Sequence, residues 1–161
     1  MRNRWIVGAI VAAVAATSFG GASAYGSGGS ETAKRLRLLD VSGEFAFVDA
    51  DPPAASENDV SPGDEFVFEN TLRERRSGAT VGTFDSICSA LVSAGLVLCR
   101  GTIALNGGTI QVATEVDFAD AERIVAAVTG GTGRYRKAHG ELVLGEQVSD
   151  GVRELTLTLL P

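Results

Sequence analysis

Glu69 follows Phe66-Val67-Phe68 in the middle of an apolar-rich run. A carboxylate turned into such surroundings has its charged form disfavoured and its pKa raised, which suits an acid or an electrostatic stabiliser. The same alternation allows the opposite orientation, with Phe66 and Phe68 inside and Glu69 in water, and glutamate is seldom buried. A second group gathers around Arg136 and His139. They lie three apart after a glycine-rich corner, Gly130-Gly131-Thr132-Gly133, and on a helical turn would share a face. Arginine there can bind a carboxylate or an enolate-like oxygen, and the only histidine of the chain can shuttle protons near neutrality. Tyr135, between them, reads as a core plug, and Arg134 and Lys137 as surface charge.

Several chemistries are excluded. One histidine and two cysteines cannot build a His-rich zinc site. No G-x-S-x-G elbow presents a serine nucleophile. Gly131-x-Gly133 lacks the third glycine and the long following helix of a dinucleotide site. The acids Asp49, Asp51, Glu57, Asp59 and Asp64 lack EF-hand spacing and read as a solvated loop, rich in proline, between two strands. Cys88 and Cys99 stand five residues before and after a tight turn at Ser93-Ala94, so antiparallel pairing places them opposite each other. That fits a cross-strand disulfide, and the C-x-x-C spacing of a redox pair is absent.

The elements that must position these residues are strands. Residues 35–49 alternate, with a bulge or break expected at Ser42-Gly43. Further strands are expected from Glu65 towards Arg75, over 79–92, over 95–105 and over 109–118. The hairpin at Asn106-Gly107-Gly108 is a strong turn signal. Residues 122–129 could form a short helix, but Ile124, Val125 and Val128 favour a strand. After the corner, where 134–138 should make one helical turn, strands follow over 141–148 and 152–160. About eight strands with short connections must pair antiparallel in sequential order. Such a set closes into an all-β, up-and-down antiparallel β-barrel whose interior holds side chains or one small ligand.

The barrel domain is assigned to 35–161. Residues 1–24 carry a basic start, the apolar run Trp5 to Ala16 and a terminal Ala22-Ser23-Ala24, the pattern of a secretory signal peptide. An uncleaved anchor is the competing reading. Residues 25–34 contain Gly26-Ser27-Gly28-Gly29-Ser30 and read as a flexible linker. Without Arg2 and Arg4 the 14 basic residues fall to 12 against 20 acidic ones, a formal charge of −8. The expectation is a secreted, extracellular domain with no nucleic-acid partner and no membrane partner after cleavage.

The stretch Gly130-Gly131-Thr132-Gly133-Arg134-Tyr135-Arg136-Lys137-Ala138-His139-Gly140 resembles the G-G-T-G-x-[FY]-R-x-A-R-G signature of dirigent proteins. In shorter form it is similar to the T-G-G-[TA]-G-x-F corner of allene oxide cyclases. Cys99-Arg100-Gly101-Thr102 and Leu105-Asn106-Gly107-Gly108-Thr109-Ile110 resemble bacterial secreted members of the same superfamily. The resemblance extends from about Asp64 to Pro161. It implies an eight-stranded barrel, a homotrimer and a small apolar or aromatic ligand, with isomerisation or cyclisation guided by confinement and neither cofactor nor metal. Phe68-Glu69-Asn70-Thr71-Leu72-Arg73-Glu74-Arg75-Arg76-Ser77-Gly78-Ala79 is similar, without gaps, to the cyclases' Y-E-I-N-E-R-D-R-G-S-P-A. The resemblance puts the cyclases' cavity glutamate on Glu69 and their serine on Ser77, and the dirigents' acidic pair near Glu69 and Asn70. With the corner residues, the candidate site is a catalytic Glu69 and Arg136, the latter as oxygen ligand, with Asn70, Thr71, Ser77, Tyr135 and His139 as binding residues. The cyclases' asparagine is Thr71 here and their proline Gly78, and dirigents carry arginine where this chain has His139. The rival reading is a non-catalytic extracellular ligand-binding or interaction module.

Overall fold

A computed structural model describes residues 32–50, 60–93 and 95–161. The leader expected over 1–24, most of the linker, Ala94 and the loop acids Asp51, Glu57 and Asp59 lie outside the described residues. Eight strands form: β1 (Lys34–Val48), β2 (Glu65–Glu74), β3 (Thr80–Ala90), β4 (Leu96–Leu105), β5 (Gly108–Asp117), β6 (Ile124–Gly131), β7 (Gly140–Ser149) and β8 (Val152–Leu159). They close in sequential order into an antiparallel barrel, β8 pairing back onto β1. Short connections permit nothing else, and closure removes the exposed sheet edges. The segment expected over 122–129 is indeed a strand from Ile124 onward, as its β-branched residues favoured, and runs on to Gly131.

Alternation decides which side chains enter. Leu72, Ile103, Ile110, Leu142, Leu155 and Leu157 are fully or almost fully buried and fill one half of the barrel, together with Tyr135. A smaller cluster of Cys88, Ala90, Val97 and Val116, flanked by Phe66 and Phe68, occupies the other half. In β1 the pairing with β2 shifts between Val41 and Glu44. Leu38 and Asp40 point inward before this bulge, and Phe45 and Phe47 share the face of Phe68 and Phe66 after it. Gly43 is required there, since a Cβ would collide with the Glu69 carbonyl oxygen.

The two ends differ. At one, the glycine corner folds over the β4–β5 hairpin. Thr132 donates its backbone N–H to Thr109 O (2.8 Å) and Arg134 to Gly107 O (2.9 Å). Gly133, at φ 57°, lies against Gly107 so closely that a Cβ would strike its carbonyl oxygen. The two glycine-rich motifs therefore exist for one contact, and Tyr135 plugs the end they close. At the other end Phe45 and Phe47, exposed by 58% and 43%, join Phe66 and Phe118 in an aromatic lip.

Candidate functional site

A cavity of about 240 Å³ lies between the filled half and the lip. One wall, on β5 to β7, is apolar: Val112, Val116, Ile124, Ala126, Leu142 and Leu144. The disulfide joining Cys88 and Cys99 across the β3–β4 pair forms another part of the wall. On β1, β2 and β8 the lining includes the polar groups Asp40, Asn70 and Arg153 beside Phe68. A concave, mainly apolar chamber with a few convergent polar groups is the usual build of a small-molecule site.

Asp40 is only 4% exposed. Asn70 donates its side-chain N–H to Asp40 Oδ2 at 3.0 Å, and its own Oδ1 accepts the Gly43 N–H at 3.3 Å. The amide thus joins the bulge to the carboxyl group. Asp40 Oδ1 is buried with no hydrogen-bond partner. Burial pushes the Asp40 pKa up from 3.8 to about 6, against the opposing pull of the Asn70 hydrogen bond and the Arg153 charge. Arg153, directly across the β1–β8 ladder from Asp40, is itself fastened. Its Nε donates to Gly145 O (2.9 Å), and its Nη2 to Ala121 O (3.0 Å) and Glu122 O (2.6 Å). The result is a carboxyl group able to gain and lose a proton near neutrality, beside a fixed cation and facing an apolar chamber.

Of the residues singled out by sequence, Asn70, Cys88 and Cys99 line this cavity. Glu69 does not. Phe66, Phe68 and Asn70 take the inner positions of β2, so Glu69 is exposed on the outer wall, paired across the sheet with Glu44 and Asp85. Thr71 shares that outer face, half-buried opposite Val41 and Thr83. Ser77 is exposed in the β2–β3 turn, where its N–H caps Glu74 Oε2 at 2.7 Å. Tyr135 is a buried plug of the closed end, 8% exposed, away from the chamber. Arg136 and His139 are exposed beyond it, the His139 Nδ1 resting 3.1 Å from Lys137 O. Glu69 and Arg136 therefore do not converge. The inward carboxyl group is Asp40, and its signal was present in the sequence: Leu36, Leu38 and Asp40 share one face of an alternating strand, an acid in an apolar row.

No family model matches the chain, and no curated protein matches it in sequence. Its fold does match solved structures. A pyocyanin demethylase superposes with a TM-score of 0.63 at 22% identity, over 78% of this chain and 99% of its own. The pterocarpan synthase dirigent protein GePTS1 gives 0.57 at 20% identity, over 80% and 82%. The Diels–Alderase AbmU from Streptomyces koyangensis gives 0.59 at 19%, over 82% and 72%. At these identities the likeness establishes the fold, and at that level the resemblance to the dirigent and allene oxide cyclase barrels is borne out.

Proposed function

We propose that this barrel is a secreted protein that takes a small apolar or aromatic molecule into its chamber and guides an isomerisation or cyclisation there. The observation that carries this is the buried Asp40, held by Asn70 in the wall of an otherwise apolar cavity. An acid with a pKa near 6 can remove a proton from a weakly acidic C–H and return it to another atom of the same molecule, a net isomerisation. Arg153 supplies positive charge beside the carboxyl group, favouring its ionised form and any negative charge that develops on a ligand oxygen. Confinement against the apolar wall contributes orientation. The barrel cyclases and the dirigent protein among the structural neighbours support this class of chemistry, and the disulfide supports an oxidising compartment. The parts given by resemblance to Glu69 and Arg136 pass, in this reading, to Asp40 and Arg153. The homotrimer belongs to it as well, with the exposed Ile87 and Leu98 of the outer wall as surface to bury; a monomeric mass in light scattering would remove it.

Incubation in D2O with a panel of one- and two-ring enones and phenols tests the chemistry by ¹H NMR. Deuterium should enter at a carbon position with the wild type and with Glu69→Gln, and not with Asp40→Asn. Binding without exchange would leave the chamber as the site of a non-catalytic binding module, and exchange that survives Asp40→Asn would take the proton transfer away from Asp40.

A further inference from the structure

Net charge conceals how the charges are arranged. The N-terminal end of β1, the C-terminal end of β2 and the β6–β7 corner all lie at the closed end of the antiparallel barrel. They carry Lys34, Arg35 and Arg37, then Arg75 and Arg76, then Arg134, Arg136 and Lys137. The opposite end carries acids: Asp49 and Glu65, Asp117, Asp120 and Glu122 between β5 and β6, and Glu146 and Asp150 near the β7–β8 turn. Arg75, bound to Glu154 at 2.7 Å, makes the one ion pair among the described residues. At the closed end Glu74 is occupied by Ser77, and Glu141 lies on the outer wall opposite Ala127 and Thr158. The barrel is thus electrically polar along its axis, with a basic floor and an acidic mouth.

The floor is also shaped. Lys34, Arg134 and Lys137 surround a hollow based on Tyr135, Leu159 and Leu160, cations around an apolar patch. Arg134 is held in place: its stem lies across Gly107, where a Cβ would come within 2.8 Å of its Nε. Leu160 is 50% exposed at the rim. The described chain enters the barrel at this same end, through Thr32 and Lys34.

From this placement we infer that the closed end is a docking face for the anionic headgroups of a lipid bilayer. Phosphate oxygens pair with Lys34, Arg134 and Lys137, and the apolar patch meets the glycerol region. Clustered basic residues around an apolar patch bind anionic bilayers through just this summed attraction, with loss at high salt. Docked so, the barrel holds its mouth away from the bilayer and open to solvent, while its acidic lip is kept from the like-charged surface. The inference is independent of the chamber's chemistry.

The exported protein, its N-terminus fixed by mass spectrometry, is sedimented with vesicles of phosphatidylcholine alone and with 30% phosphatidylglycerol (about the level that gives a strongly negative surface). Binding should require the anionic lipid and vanish in 0.5 M salt, roughly one Debye length of 4 Å. Arg134→Glu with Lys137→Glu should weaken it about twenty-fold or more, and Lys34→Glu, which leaves the corner intact, should weaken it less. Arg123→Glu, at the mouth, should leave it unchanged although it shifts the net charge by the same two units as Lys34→Glu. Binding equal on both vesicle types, unaltered by the corner reversal, or abolished by millimolar glycerol phosphate would overturn the inference. Circular dichroism and thermal melting confirm that each variant is folded.

Discussion

Asp40 and Asp64 are the two buried acids of the described barrel, and they are buried for opposite ends. Asp64 is wholly enclosed and wholly engaged. Its Oδ1 accepts Ala50 N–H (2.8 Å) and the Ser61 hydroxyl (2.9 Å), and its Oδ2 accepts Ser61 N–H (2.7 Å). Those bonds hold its pKa below the ordinary value of 3.8, and they tie the exit of β1 to the entrance of β2. Asp40 has one bond, an unpartnered oxygen and a pKa raised to about 6. Full satisfaction makes a carboxylate a structural pin. Partial satisfaction beside a chamber makes it chemically available, at a cost in stability.

The comparison can be broken most sharply by exchanging amide for acid. Asp40→Asn should reduce any proton-transfer activity by at least about a hundred-fold, whereas Asp64→Asn should spare the activity of whatever protein remains folded. If both variants lose activity equally at matched folded fraction, the distinction between pin and reagent falls. In stability the order reverses. Asp64→Ala leaves the Ala50 and Ser61 amides without their acceptor and should lower the melting temperature, while Asp40→Asn should raise it at neutral pH. Differential scanning calorimetry reads both.

The pH dependence gives a finer contrast. The folded pKa of Asp40 lies above its unfolded value, so its contribution is fully present below about 3.8 and lost as pH rises through about 6. The loss amounts to at most roughly 3 kcal/mol. Asp64 behaves inversely: its folded pKa is depressed, so its contribution stands above 3.8 and disappears as pH falls below that value. Denaturant melts from pH 3 to 8 should show the Asp40→Asn protein lacking the decline between about 4 and 6. A decline unchanged by the substitution would mean that another group titrates there. Smallest of the effects is Asn70→Ala, which frees the Gly43 N–H and should cost about 1 kcal/mol. It should also raise the Asp40 pKa further, visible as an alkaline shift of the activity profile.

Much of this molecule was legible in its sequence because a closed antiparallel barrel is written in local signals. Strand alternation, the Asn106-Gly107-Gly108 hairpin and the Cys88–Cys99 register each depend on neighbours a few residues apart. The bulge at Ser42-Gly43 was legible for the same reason. The chamber was harder to read. Glu69 and Asn70 are adjacent, and only the inward placement of Phe66 and Phe68 decides which of the two faces the ligand. Asp40 was legible in principle as an acid in the Leu36–Leu38 row, but its neighbour Arg153 is more than a hundred residues away and no local pattern joins them. The axial segregation of charge was equally hidden, since it arises from closure, which brings strand ends together that the chain keeps apart.

The β1 bulge sets a reading frame. Upstream, even-numbered residues enter the barrel and deliver Asp40; downstream, odd-numbered ones enter and deliver Phe45 and Phe47. The bulge takes up one residue, so deleting Ser42 would restore an unbroken alternation in which Asp40, Phe45 and Phe47 all stay on the inner face, and would only straighten the strand. Acid and lip thus share one inner face because the bulge absorbs the odd residue between them, and the bend it puts into β1 sets the angle at which the lip meets the chamber.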